Sequence, residues 1–286
     1  MVAHARRPSL LNSRTLALGA FGAAFVWSLF QAGVFNKDLV NEGGWVLVGR
    51  FMDASIHPDL GADILGLVLP AALTTLAFAV CGTAVSLTIG IVGGILSSEV
   101  WWQSIFPGSH APGRRFRPHL VPWLGVRGAL AVPRAIHEVI WGLFFINILG
   151  LDPLVAVLAI GVPFGAITAK IYADILDETP KDGMRALQNS GVSPLKSFLY
   201  TLLPQAFPDL LSYGFYSLEC AIRSAAVLGL IGAGGLGYQI LLSLQSLQYD
   251  QVWTFLYALI LLSGLTDWWS SLLHRRLQIT RHTRYD

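Results

Sequence analysis

The chain has 286 residues, of which 54% are hydrophobic and 13% charged, and its mean hydropathy is +0.59. Soluble domains carry about 25% charged residues, so there are too few charges here to cover a water-facing surface, and an all-α polytopic membrane protein is expected. A net charge of +2 gives no sign of nucleic-acid binding, and Cys81 and Cys220, both in apolar stretches, read as small buried residues rather than a disulfide framework.

The N-terminus starts basic and continues into an apolar run from Thr15 to Phe35. That run is longer than the ~7–15 residue core of a cleaved signal peptide and can cross about 30 Å of hydrocarbon. It is read as a retained first spanning helix. Five further spans follow: Leu65–Leu96, Val121–Leu149 with Pro133 inside it, Asp152–Leu176, Ala206–Ile231 and Val252–Leu273. None alternates in polarity over ten-residue segments as a barrel strand would, so about six transmembrane helices are expected.

Lys and Arg in the connections set the orientation. With the N-terminus inside, the inner segments hold Arg6, Arg7, Arg14, Arg114, Arg115, Arg117, Lys181, Arg185, Lys196, Arg275, Arg276, Arg281 and Arg284, whereas the outer ones hold only Lys37 and Arg50. Both termini are therefore expected in the cytoplasm. The chain divides into 1–64 (cytoplasmic start, first span, external loop), a membrane-spanning core over 65–277 with a polar cytoplasmic loop at 177–205, and a tail at 278–286.

That loop, DETPKDGMRALQNSGVSPLKSFLYTLLPQ, is basic and polar yet has helical spacing, with Met184 and Leu187 on one face. Gly191 ends this helix as a C-terminal glycine does, and Pro194 suits the first turn of a second one running to Pro204. A short helix–turn–helix on the membrane surface is predicted, either an amphipathic connector or a docking element for another protein.

The stretch IGAGGLGY at Ile231–Tyr238 contains G-x-G-x-x-G at Gly232, Gly234 and Gly237. A dinucleotide loop needs a preceding strand, a following helix and an acidic residue about 20 positions on. Here the preceding segment belongs to a long apolar run, and the next acidic residue is Asp250. Gly232, Gly234, Gly235 and Gly237 are read instead as an external turn, able to take positive φ and to let helices approach closely.

Charges within the spans are costly and informative. Arg223 lies in the fifth span, where an arginine costs about 2.5–3.5 kcal/mol on insertion scales, with Glu219 four residues earlier on the same helical face. Arg134 and Glu138 repeat the spacing in the third span, with His137 between them. One reading is a buried network holding two helices together. The other is a path in which Arg223, with Arg134, offers positive potential to an anion, the planar guanidinium fitting two oxygens of a phosphoryl group. His137 reads as a member of this network rather than a metal ligand, and the remaining histidines lack metal-ligand spacing. No cofactor site is expected. The nucleotide-binding pattern G-x-x-x-x-G-K-S/T does not occur in the sequence.

The segment from Gly191 through nine residues to Thr201-Leu202-Leu203-Pro204 resembles the coupling-helix signature of ABC importer permeases, E-A-A-x3-G-x9-I-x-L-P. Ala186 matches, while Arg185 stands in place of the usual glutamate and Leu187 in place of the second alanine; leucine there is similar to phosphonate-type permeases. The stretches 133–160 and 217–240 also look like phosphonate importer permeases, with similarity over 65–277 and strongest from 131 to 250. The resemblance implies a type I importer fold in the inner membrane, paired with a second permease chain (identical or a sister). Two ATPase subunits would grip Arg185, Ala186, Leu187, Gly191, Pro194 and Pro204, and an external binding protein would deliver phosphonate or a related phosphorus oxyanion. The protein is thus expected to be a transport subunit and not an enzyme. An importer for an amino acid or quaternary amine fits Arg223 less well. An ion-coupled secondary transporter would show two related halves with interrupted helices, and none is found. A membrane enzyme would need a nucleophile–base or metal constellation.

Overall fold

Long runs of Leu, Ile, Val and Ala with only Ser and Thr between them have one low-energy arrangement in lipid, a helix whose backbone groups bond internally. The computed structural model describes residues 13–34, 43–105 and 120–282, and side chains over 15–34, 43–105 and 120–272. Every regular element among these residues is helical. Met1–Asp53 and Ala54–Asp286 are separate units. The first contains α1 (Ser13–Gln31) and nearly all of α2 (Gly44–Ala54).

In the second unit, α3 (Ala62–Ser97), α7 (Pro153–Glu178), the helical stretch Pro194–Ala233, which kinks at Gly232, and α12 (Tyr249–His282, apolar to Leu272) are each long and apolar enough to cross a membrane. The predicted third span is not one helix. It comprises α5 (Leu120–Ala135) and α6 (Glu138–Leu149), bent by 86°. If this pair counts as one span the total is five, and α1 adds a shorter apolar helix, Thr15–Gln31. The predicted end of the first span, Phe35, lies outside the described residues, as do Arg6, Lys37 and Arg114.

The centre of the bundle is α3 against α7, packed through small residues as membrane helices require. A methyl group on Gly82 would come within 2.8 Å of Ile160, and one on Gly161 within 2.6 Å of Val85. Ser86 and Thr168 share a 3.1 Å hydrogen bond across the same seam. Phe78, Ala79, Ala156, Ile160, Ile222 and Leu228 join α10 (Leu203–Leu228) to this pair as one buried core. A second core at the opposite end of α7 gathers Val100, Tyr172, Leu176, Met184, Phe198 and Leu202. It seats α4 (Glu99–Ile105), α8 (Asp182–Asn189) and α9 (Pro194–Ser197). A π-helical turn, Phe198–Leu202, carries α9 directly into α10. After α10 a second π-helical turn and a break lead to α11 (Gly235–Gln245), a separate helix not foreseen in the sequence.

Candidate functional site

Along α10 the small residues Ala221, Ser224, Ala225 and Ala226 turn inward, which leaves Arg223, Val227 and Leu230 on the open face. These face α11 and α12 across a groove of about 610 Å3 whose polar lining consists of Arg223, Ser263 and Asp267. Arg223 Nη2 lies 3.3 Å from Glu219 Oε1 and 3.5 Å from Cys220 Sγ. Both contacts use one nitrogen of a guanidinium with five N–H donors. The Arg223 side chain is 60% exposed, so it is not part of a buried network. Asp267, on α12, was not singled out in the sequence because nothing local relates it to Arg223.

The expected i, i+4 pair of Arg134 and Glu138 does not form. The chain turns by 86° between α5 and α6, so the two residues lie on different helices. Glu138 Oε1 instead accepts a 2.9 Å hydrogen bond from Ser224 Oγ of α10. His137 caps α6: its Nδ1 accepts the Val139 N–H at 3.3 Å. An accepting Nδ1 carries no proton for Glu138 Oε2, which stands 3.3 Å away. The corner is held by Trp141, whose Nε1 donates to the Pro133 carbonyl at 3.1 Å. The structure therefore brings Glu219 to Arg223 and His137 to Glu138 but separates Arg134 from both pairs. The cysteines also differ from expectation: Cys81 is exposed and Cys220 is partly buried beside Arg223.

The loop at 177–205 folds as its turn chemistry predicts. Gly191 takes φ +85° just beyond α8, Ser193 is extended, and Pro194 opens α9. Met184 is buried in the second core, whereas Asp182, Arg185, Ala186, Asn189 and Gly191 are exposed and Leu187 is half-buried. An amphipathic helix thus presents Arg185 and Ala186 outward and rests on Phe198 and Leu202. Pro204 is exposed in the first turn of α10.

The platform beneath α8 depends on residues absent from the sequence-based reading. Asp177 accepts from Ser98 Oγ at 2.7 Å and from the backbone N–H of Glu99 and Val100 at 3.1 Å, which caps α4. Arg127 of α5 lies 3.6 Å from Asp177, donates to the Ser97 carbonyl at 3.1 Å and stacks 4.3 Å from the Trp123 ring. No short motif links positions 98, 127 and 177, so only the fold reveals the cluster.

At the other end of α10, Gly232, Gly234 and Gly235 take φ of +98°, +104° and +75°, values that L side chains rarely adopt. Gly237 has ordinary φ but faces the Ala226 carbonyl so closely that a side chain would overlap it. Leu236 N–H donates to Thr75 Oγ1 of α3 at 2.9 Å, fixing the start of α11. With a helix before it and no strand among the described residues, this glycine run is a turn between helices.

Residues 118–279 match the family model described as the inner membrane component of binding-protein-dependent transport systems. The chain is 28% identical over 249 residues to the phosphate-import permease protein PhnE of Mycolicibacterium smegmatis, a match covering 85% of this chain and 41% of that one. It is 26% identical over 206 residues to the phosphite transport system permease protein PtxC of Stutzerimonas stutzeri, covering 72% and 70%. The chain thus spans about two fifths of the first relative's length and seven tenths of the second's. In architecture it is similar to the inward-facing MetNI methionine ABC transporter, with a TM-score of 0.61, 20% identity, and 76% and 99% of the two chains covered. An amino acid ABC transporter gives a TM-score of 0.59 at 15% identity. The fold is that of a type I ABC importer permease, and the chain is a multi-pass membrane protein belonging to the family of inner membrane components of binding-protein-dependent transport systems.

Proposed function

We propose that this chain is the membrane-spanning permease subunit of an ATP-driven importer and carries phosphonate or a related phosphorus oxyanion such as phosphate or phosphite. The observation behind the cargo is Arg223. It is an exposed guanidinium lining the groove between α10, α11 and α12, and among the described residues its hydrogen bonds engage only Nη2. The N–H groups of Nη1 and Nε remain free to donate to an anion in the groove. Glu219 and Asp267 keep that attraction weak, as a conducting site must be able to release what it binds. The names of the relatives, which refer to phosphate and phosphite, support the same cargo.

In this reading both termini and the α8 element face the cytoplasm. Arg185, Ala186, Leu187, Gly191, Pro194 and Pro204 dock on one of two ATPase subunits, with Arg185 meeting an acidic residue there. A second permease chain, identical or a sister, completes the path, and the glycine turn at 232–237 and the segment before α3 face an external binding protein. Closure of the ATPase pair on ATP moves the α8 element, and the path switches from inward-facing to outward-facing. An amine cargo is the second reading, because Glu219 and Asp267 place two carboxylates around one guanidinium.

The test is uptake in cells that express the whole transporter, with radiolabelled phosphate, phosphite, methylphosphonate and glycine betaine as separate cargoes. Accumulation of a phosphorus oxyanion dependent on this chain supports the proposal. Accumulation of the betaine alone would replace it with the second reading. Co-purification after mild extraction should recover an ATPase chain, and its absence from an active preparation would remove the ATP-driven mechanism.

A further inference from the structure

A small cavity of about 50 Å3 lies between α3, α5 and α7 in the half of the bundle nearer α8, lined by Ser97, Arg127, Leu130, Arg134 and Lys170. A lone water needs only ~10–15 Å3, so the space takes a group larger than one water. Three of its five lining residues are cationic. Arg127 and Lys170 are partly engaged: Arg127 with Asp177 at 3.6 Å and Asp174 at 4.0 Å, and Lys170 with Asp174 at 2.9 Å. Arg134 makes no ion pair or hydrogen bond among the described residues, so the cluster carries one positive charge more than its two carboxylates balance. Ser97 is 2% exposed, and its hydroxyl has no hydrogen-bond partner among the described residues.

A buried hydroxyl without a partner is unfavourable, and an uncompensated arginine at this position in a helical membrane bundle adds to that. One tetrahedral oxyanion removes both costs, since it lies against the guanidinium and ammonium groups at once and accepts from the Ser97 hydroxyl once that side chain turns to the rotamer that faces the cavity. We propose that Ser97, Arg127, Arg134 and Lys170 form a binding site for a phosphate group at the α8 end of the bundle, separate from the groove that holds Arg223. Lys170 and Arg127 are 51% and 36% exposed, so either the headgroup of an anionic lipid or free phosphate can reach them. The site does not depend on the nature of the transported cargo.

The full chain is reconstituted in nanodiscs of phosphatidylcholine, with or without phosphatidylglycerol. Binding of radiolabelled inorganic phosphate is measured in the first, and retention of phosphatidylglycerol by native mass spectrometry in the second. Arg134→Gln should weaken one of the two by at least tenfold and Ser97→Ala by several-fold, while Lys196→Gln, a cation of α9 outside the cavity, leaves that signal unchanged. Loss of phosphate binding in the neutral discs identifies the free anion, whereas loss of retained lipid alone identifies the headgroup. Arg134 has no partner to lose, so its variant should unfold no earlier than the wild type; Lys170→Gln provides a second removal of charge should it not. If none of these variants at the cavity changes either signal by threefold, or if only Lys196→Gln does, the site is overturned.

Discussion

Glu138 of α6 accepts a 2.9 Å hydrogen bond from Ser224 of α10, the residue next to Arg223. This bond joins the bent corner of the chain to the helix that carries the groove arginine. Hydrogen bonds between membrane helices average about 0.6 kcal/mol and reach ~1.7. A charged acceptor raises the strength, so Ser224→Ala should cost towards the upper figure. The thermal unfolding midpoint of the purified chain should fall in Ser224→Ala and recover in Ser224→Thr. An unchanged midpoint would mean that Ser224 does not hold the corner.

Which parts of this arrangement could be read in advance follows from the range of the forces involved. Helical spans are visible because the apolar run is itself the cause of the span, and the loop around Gly191 is visible because glycine and proline constrain their own backbone. The Arg134 and Glu138 pairing failed because i, i+4 spacing implies contact only on an unbroken helix. Pro133 signalled an interruption, but its size, 86°, depends on Trp141 and on the core behind it. Glu138–Ser224 and Asp177–Ser98 connect residues 86 and 79 positions apart, and no local pattern encodes such pairs.

Arg223→Ala should abolish uptake of a phosphorus oxyanion while leaving the assembled complex intact, because the side chain is exposed to the groove and does not support the core. Arg223→Lys keeps the charge but replaces a planar fork with a point charge, and should retain measurable but reduced uptake. Transport assays paired with gel filtration of the complex separate these effects. Normal uptake by Arg223→Ala would remove this residue from the path.

Gly183 lies against the π-helical turn, where a methyl group on it would come within 2.6 Å of Thr201 Cγ2. Gly183→Val should therefore push α8 off its seat without disturbing the spans. In a reconstituted transporter the expected outcome is ATP hydrolysis that no longer drives uptake. Adding Thr201→Ser, which deletes the opposing methyl group, should restore part of the coupling. Full coupling in Gly183→Val alone would show that the seat tolerates displacement.

Thr75 is fully buried on α3; its hydroxyl donates to the Ala71 carbonyl at 3.1 Å and accepts the Leu236 N–H at 2.9 Å. It therefore ties the glycine turn to the central helix pair by a side-chain hydrogen bond. Thr75→Val keeps the shape and deletes the acceptor, leaving a buried N–H at the first turn of α11 without a partner, a loss of about 1–3 kcal/mol. Because the lost bond belongs to a turn rather than to the α3–α7 seam, the effect should be local. Hydrogen exchange at residues 232–240 should rise by one to two orders of magnitude, since ~1.4 kcal/mol corresponds to tenfold in an opening equilibrium. Exchange across Gly161–Thr168 should stay at the wild-type rate. Thr75→Ser, which retains the hydroxyl, should restore protection; a serine variant as unprotected as the valine one would assign the effect to lost packing of the threonine methyl group.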